Sequence, residues 1–375
     1  MHDRRTAGDR PAHRGRRLLR LVVVPVVDRH SSTSGWHHAG VLLVTGGTGF
    51  LGSVLVNRLV QAGREVRVGV RDLAAARRIL PSAATPVVAE ITDVEALTEA
   101  ARGCTAVLHL AASVGACPVE TWQTNVEGTR AALTAALRVG ARFVHTSSSA
   151  AVVDATGLLA EQPLGEPALT DPYSVSKVAA ERLVLAAVAD GLPAVIVNPV
   201  GIYGPSPRGP LSYNALLLAA ARGETAAVVD ATIGWVLARD VADGLVLALE
   251  RGEPGRRYVL CGEVASFGRV LHAFADRVGG QRVRLLPPGS TLEVDVTGPA
   301  AAFAQRSAVY GSLAPVRVAD AGARAIGFRP SGVLDGVART AAWIGPRCAD
   351  TSWADTGTDS GAGDPEGPPA PVGSA

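Results

Sequence analysis

Tyr173 and Lys177 stand four residues apart, so on a helix they share one face. A free phenol has a pKa of about 10, and an acid/base group working near neutrality must be brought down from there. An ammonium on the same face does this by favouring the phenolate over the phenol. The same pair can also decorate a solvated helix face with no chemistry at all. Asp171 and Pro172 just ahead are the residue types that start a helix at this point. The second chemistry-bearing stretch is Val41-Leu42-Leu43-Val44-Thr45-Gly46-Gly47-Thr48-Gly49-Phe50-Leu51-Gly52, an apolar run that breaks into glycines and resumes with helical spacing. Gly46, Gly49 and Gly52 fall three apart, which lets the backbone turn tightly and approach a pyrophosphate. The free N–H groups and dipole of the following helix would hold that anion. A glycine turn without a ligand is the alternative, since 42 of the 375 residues are glycine.

The hydrophobic pattern supplies elements to position these groups. Val41 to Val44 reads as a strand, Leu51 to Gln61 as an amphipathic helix, Val66 to Val70 as a strand and Leu73 to Leu80 as a helix. Pro86 to Ala89, the helical Val94 to Ala101 and the strand Ala106 to Leu110 follow, then a long helix from Val119 to Val139. Arg142 to His145, the helix Tyr173 to Ala189 and the strand Ala194 to Val197 complete the alternation. This order predicts an α/β chain with a doubly wound parallel sheet that binds ligands at the carboxyl ends of its strands. Further on, Ser212 to Arg222 reads as a helix after a proline-rich loop from Pro205 to Pro210. Trp122, Tyr203, Tyr213 and Trp235 are candidates to line a pocket, with Trp122 and Trp235 equally at home in a core.

Composition narrows the class. At 47% hydrophobic residues the chain can bury a sizeable core. Cys104, Cys117, Cys261 and Cys348 lie far apart, so neither a zinc site nor a disulfide framework is suggested, and a reducing cytoplasm is the expected compartment. The apolar run Leu21 to Val27 falls far short of the ~20 residues of a membrane span. Arg16-Arg17 ahead of it admits an export-signal reading, but no convincing small-residue cleavage site follows. Residues 1–20 carry seven arginines and two aspartates, whereas 348–375 carry four aspartates and one glutamate. The body between them is near neutral and has no basic stripe for nucleic acid. We expect a disordered basic extension over 1–38, a nucleotide-binding core over 39–200, a smaller substrate-binding subdomain over 201–345 with segments returning to the core, and a disordered acidic tail over 346–375.

From Val41 to Gly345 the chain resembles the extended short-chain dehydrogenases/reductases, within the NAD-dependent epimerase/dehydratase family, and most specifically their dihydroflavonol-reductase-like branch. Thr45-Gly46-x-x-Gly49-x-x-Gly52, His109-Leu110-Ala111-Ala112, Asn125-Val126-Glu127-Gly128-Thr129, Thr146-Ser147-Ser148, Tyr173-x-x-x-Lys177 and Asn198-Pro199 before Tyr203-Gly204-Pro205 follow the family's order. The resemblance implies a Rossmann fold with a smaller C-terminal substrate-binding subdomain. It places the catalytic hydroxyl at Ser148, with Ser147 and Ser149 as neighbouring alternatives, beside Tyr173 and Lys177. Asn125 is expected to shape the cofactor pocket or a water relay, or else to be a polar residue satisfied by its neighbours. His109 reads as a core histidine. Cofactor contacts are expected at Gly46, Thr48, Gly49, Phe50, Leu51, Gly52, Ala111, Ala112, Tyr173, Lys177 and Pro199. Glu90, with Ile91, stands where the family has an adenine-contacting aspartate. Tyr258 to Glu263 resembles a strand of the smaller subdomain.

Cofactor choice is read at the end of the second strand, where an acid binds a ribose 2′-hydroxyl and an arginine accommodates a 2′-phosphate. Arg71 directly after Val70 points to NADP, and Asp72 beside it keeps NAD as the alternative. The favoured expectation is an NADP-dependent carbonyl reductase or alcohol dehydrogenase acting on a small molecule. A nucleotide-sugar epimerase or dehydratase with tightly held NAD is the second reading, and a non-catalytic dinucleotide sensor the third. Membrane and nucleic-acid partners are not expected, and a homodimer is an open expectation.

Overall fold

The computed structural model describes residues 40–114, 117–162, 168–292 and 299–345. The expectations for 1–38 and 346–375 lie outside the described residues. In chain order the first half runs β1 (Val41–Thr45), α1 (Phe50–Gln61), β2 (Val66–Val70), α2 (Leu73–Ile79), β3 (Thr85–Val88), α3 (Val94–Ala101), β4 (Cys104–His109), α4 (Pro118–Trp122), α5 (Gly128–Val139), β5 (Arg142–Thr146), β6 (Leu158–Ala160), α6 (Pro172–Ala189) and β7 (Ala194–Pro199). The second half runs β8 (Gly201–Tyr203), α7 (Tyr213–Ala221), β9 (Ala227–Val229), β10 (Thr232–Leu237), α8 (Ala238–Arg251), β11 (Arg257–Leu260), β12 (Glu263–Ser266), α9 (Phe267–Val278), β13 (Arg284–Leu286), α10 (Pro299–Gly311), β14 (Arg317–Ala319), α11 (Ala321–Ala325) and α12 (Val333–Ile344).

Seven strands form one parallel sheet in the order β11-β7-β5-β4-β1-β2-β3. Its central strands are apolar without alternation because both faces are covered, and every residue of β5 and β7 is buried. Successive side chains therefore feed two cores: Leu42 and Val44 of β1 join one cluster, and Leu43 joins the other with Val107, Phe143 and Ile196. The edge strand β3 carries Pro86, which has no N–H to donate and is tolerated at a sheet border.

Two expectations change. The helix expected as one piece over Val119 to Val139 contains a wide π-turn, Gln123–Glu127, between α4 and α5. A wide turn of this kind rotates one side chain out of the regular helical register, and Asn125 is buried within it. Tyr258 to Glu263 is not one strand of a smaller subdomain. Tyr258 to Leu260 instead closes the main sheet beside β7, with Tyr258 opposite Val197 and Leu260 opposite Pro199. The chain then bends at Cys261-Gly262, and β12 pairs antiparallel with β10. Burial of Val259 and Leu260 explains the main-sheet membership. The bend needs Gly262, because a Cβ there would stand 2.6 Å from the Trp235 carbonyl oxygen.

Trp235 packs edge-on against Tyr203, Tyr213 and Phe267, with ring centroids 5.1 to 5.8 Å apart, and donates its indole N–H to the Ala265 carbonyl. It and Tyr203, whose hydroxyl donates to the Val333 carbonyl, are core residues, whereas Trp122 is exposed. The junction of β1 and α1 is equally tight: a Cβ on Gly52 would overlap the Gly46 carbonyl oxygen. Gly52→Ala must push α1 off the turn, and should lower stability by about 1–3 kcal/mol, read as a lower urea midpoint with an unchanged slope. An unchanged midpoint would show that the turn has room to give.

Candidate active site

The site is built where the parallel strands end. After Thr45 the chain reverses through Gly46 at φ +69°, and the Gly49 N–H closes the turn on the Gly46 carbonyl at 3.0 Å. A Cβ on Gly46 would stand 2.5 Å from the Ala111 nitrogen, so the turn rests directly on the backbone after β4. Helices α2, α3 and α6 are each capped by an aspartate, Asp72, Asp93 and Asp171. Helix α1 has no side-chain cap. Phe50, Leu51 and Gly52, whose N–H groups no carbonyl of the helix reaches, line an open cleft of about 910 Å³ instead. That cradle, left bare of Cβ atoms and side-chain caps, fits a dinucleotide pyrophosphate.

The cleft gathers the residues singled out from the sequence. Gly46, Thr48, Gly49, Phe50, Leu51 and Gly52 line it from β1 and α1, Arg71 from the end of β2, Glu90 and Ile91 from beyond β3, Ala111 and Ala112 from beyond β4, and Pro199 from the end of β7. Ser148, Tyr173 and Lys177 line it as well. Asp72, by contrast, spends one carboxylate oxygen on the N–H groups of Ala74 and Ala75 at 2.7 and 3.0 Å. Those backbone bonds hold its carboxyl below the usual range. Glu90 turns back to accept from the Ile91 N–H at 2.9 Å.

Tyr173 and Lys177, the expected acid/base pair, rest on α6. Asp171 caps the helix by accepting from the Ser174 N–H, and Pro172 occupies its first turn. Lys177 is buried, and its ammonium donates to the Thr146 carbonyl at 3.0 Å, at the end of β5. Burial drags its pKa down to about 8, partly opposed by the Glu181 carboxylate. Tyr173 is partly buried and lines the cleft beside Ser148. Burial pushes its phenol above the ordinary value, while the Ser148 hydroxyl and the Arg306 charge pull it back.

Among the three serines the geometry separates roles. Ser149 shares a hydrogen bond with the Tyr310 hydroxyl at 3.2 Å, and the Ser147 hydroxyl is buried without a protein partner. Ser148 faces Tyr173. Its backbone is pinned from behind, because the Asn198 amide donates both to the Ser148 carbonyl at 3.0 Å and to Glu181 at 2.6 Å. Glu181 is in turn paired with Arg257 at 2.7 Å.

Asn125 stands behind the cleft wall. Its amide exchanges hydrogen bonds with the Ser113 backbone at 2.8 and 3.0 Å and donates to the Ser176 hydroxyl at 2.9 Å. It can shape the loop after β4, and the geometry gives it no contact with the cleft. His109 is buried between the hydroxyls of Thr45 and Thr129, and burial, with the Lys177 charge, holds its pKa near 3. It is a neutral core histidine.

Sequence reasoning missed the opposite wall. Phe303, Arg306 and Tyr310 lie on one face of α10 and line the cleft with Tyr213. The 3-and-4 spacing of Phe303, Arg306 and Tyr310 was the available signal. Arg208 also lines the cleft, and its buried Nε has no hydrogen-bond partner.

A phenol, a hydroxyl and a buried ammonium gathered at the carboxyl edge of a parallel sheet, in one cleft with a bare helix start, are the arrangement of a dinucleotide-dependent oxidoreductase of Rossmann architecture. Comparison with known proteins agrees. The model of the NAD dependent epimerase/dehydratase family matches residues 42–261, and the chain belongs to that family. It is an NAD(P)-dependent oxidoreductase of the extended short-chain dehydrogenase/reductase type. Sterol demethylase protein B of Methylococcus capsulatus is 33% identical over 254 residues, covering 66% of this chain and 77% of that protein. The 4-hydroxy-2-methyl-3-oxo-4-farnesyl-3,4-dihydroquinoline-1-oxide ketoreductase of Stigmatella aurantiaca is 34% identical over 227 residues, covering 58% of this chain and 66% of that one. The crystal structure of gox2253 has a TM-score of 0.70 at 28% identity and covers 82% of this chain and 99% of its own. Among the described residues no helix is long and apolar enough to cross a membrane.

The Lys177 ammonium sets a pH dependence. It is charged below its pKa of about 8 and neutral above, so support for the phenolate is lost as pH rises through that value. With any substrate that the protein accepts, kcat/KM for reduction should be level on the acid side of about pH 8 and decline above it. In Lys177→Met, turnover should be low throughout, without that limb. A wild-type profile in the variant would remove Lys177 from the account.

Proposed function

We propose that the protein reduces the carbonyl group of a small molecule with NADPH, using Tyr173 as the proton donor. The observation that carries this reading is the division of labour between Arg71 and Asp72. One carboxylate oxygen of the aspartate that would otherwise bind a ribose 2′-hydroxyl caps α2, and Arg71 next to it lines the cleft. A 2′-phosphate then meets a cation. NADPH, when bound, supplies the hydride.

The chain's own groups manage the oxygen. Ser148 hydrogen-bonds the substrate carbonyl, and the Tyr173 hydroxyl donates its proton as negative charge grows on that oxygen. Lys177 stabilises the phenolate that is left. The far wall of Val200, Ile202, Tyr213, Phe303 and Tyr310 suits a substrate with an apolar or aromatic body.

Dehydration is disfavoured because the residues after Ser148 are Ser149, tied to Tyr310, and the buried Ala150. Neither supplies the acid and base of an elimination. Epimerisation of a nucleotide sugar with retained NAD is the second reading, and Arg208, which lines the cleft with its buried Nε lacking a hydrogen-bond partner, favours it as a cation for a diphosphate.

The test is stoichiometric. Purified protein, NADPH and a panel of ketones, aldehydes and nucleotide sugars should give alcohol product with one NADPH oxidised per product. Product from a nucleotide sugar with no net change in NADPH would overturn the reductase reading. In the same assays Arg71→Ala should cut the NADPH-over-NADH preference by about tenfold or more, the effect of losing one charge-assisted contact of ~1.5–3 kcal/mol. An unchanged preference would place the 2′-phosphate site elsewhere.

A further inference from the structure

Arg306 reaches the site from α10. One guanidinium nitrogen donates to Asp171 at 2.9 Å, and the guanidinium carbon stands 5.5 Å from the Tyr173 ring centroid and 5.2 Å from that of Tyr310. Its side chain is 11% exposed. Lys177, the cation on the tyrosine's own helix, is 5.9 Å from the same ring. We propose that Arg306 is a second cation of the proton-donating site, held by Asp171 beside Tyr173 so that the phenolate left after proton donation has two positive side chains within 6 Å of its ring. This rests on the reading of Tyr173 as the acid/base group.

The two cations are not equivalent. Lys177 loses its proton near pH 8 because burial penalises its charge, whereas a guanidinium stays charged throughout the working range. Arg306 therefore supplies a positive field that persists where that of Lys177 fades. Several charged and titratable groups surround Tyr173, and among the charges Arg306 is the largest influence on it. Lys177 and Asp171 face it from α6, Ser148 from the end of β5, Tyr213 from α7, and Arg306 and Tyr310 from α10. Buried His109 and His145 stand behind Lys177 and are neutral. Asp171 opposes the phenolate, but its effect on Tyr173 is smaller than that of Arg306. The bond to Asp171 and the Tyr310 ring beneath it hold the guanidinium beside Tyr173, so its charge is preorganised there.

A purely structural ion pair between α10 and α6 would also hold Asp171 and Arg306 together. The two roles differ in whether charge or shape matters. Fluorotyrosine incorporated throughout gives five fluorine resonances, one for each tyrosine of the chain. Titrating the whole protein then reads the ionisation of Tyr173 without any substrate, its resonance assigned with Tyr173→Phe. Arg306→Gln keeps a hydrogen-bond donor for Asp171 and removes the charge, and should raise the Tyr173 midpoint by about one pH unit, a tenfold change in ionisation. Arg306→Lys keeps the charge and should stay near wild type. Tyr258, bonded to the Glu253 N–H, is the internal standard and should not move. If Gln and Lys shift Tyr173 equally, or Gln does not shift it relative to Tyr258, the second-cation role is refuted. In that outcome the acid/base reading stands or falls on the turnover of Tyr173→Phe. If either variant collapses the fluorine dispersion at neutral pH while the other retains it, the comparison is made with Asp171→Asn. Removal of that carboxylate should lower the Tyr173 midpoint if Arg306 keeps its charge over the ring, and a raised midpoint would refute the proposal.

Discussion

A buried ammonium must be satisfied, and much of the site follows from how Lys177 is. Its nitrogen has left water and donates to the Thr146 carbonyl at the last residue of β5. An ammonium buried without such a partner would cost several kcal/mol or lose its proton. The bond therefore ties α6 to the end of β5, and everything on α6 is placed with it. Tyr173 lies one helical turn before Lys177 and comes to rest against Ser148, the second residue after that same carbonyl. The strand end that accepts from the lysine thus also presents the hydroxyl.

The rest of the scaffold holds the two partners at that spacing. Asn198 and Glu181 bracket the Ser148 loop from β7 and α6, and Arg257 neutralises Glu181 from the strand beyond. On the cofactor side the arrangement is the reverse. Where α6 is capped by Asp171, α1 is left uncapped above the glycine turn. The helix whose first amides face the cleft carries no carboxylate at its start, and the helix that carries Tyr173 is sealed by one.

The elements that depend on local pattern were legible in the sequence. Six β/α alternations, the glycine turn and the Tyr173/Lys177 pair are defined by residues within a few positions of one another, and all appear where the periodicity puts them. The start of α6 was readable from Asp171 and Pro172 for the same reason. What was not legible depends on distant partners. Tyr258 to Leu260 carries the same strand pattern whichever sheet it joins, and only the open edge of β7 decides. The π-turn at Asn125 is a one-residue register change that a helical pattern does not record. Arg306 meets Asp171 across 135 positions, beyond the residues 42–261 that the family model matches. The ambiguity at Arg71-Asp72 is also physical: an aspartate can cap a helix or bind a ribose, and only the folded chain shows that one oxygen of Asp72 caps α2.

In the proposed reaction the Tyr173 phenol, aligned by Ser148 and Lys177, moves the proton. The most direct measurement is a single turnover of Tyr173→Phe with NADPH deuterated at its reactive carbon and the best carbonyl substrate of the wild-type protein, alongside calorimetric titration of NADPH binding. The substitution removes one hydroxyl. NADPH affinity should stay within about threefold of wild type, while the rate of deuterium appearance in the alcohol falls by roughly 10²–10⁴, the range of a lost general acid. Deuterium transfer at the wild-type rate with affinity intact would contradict the account, because the proton would then come from another group.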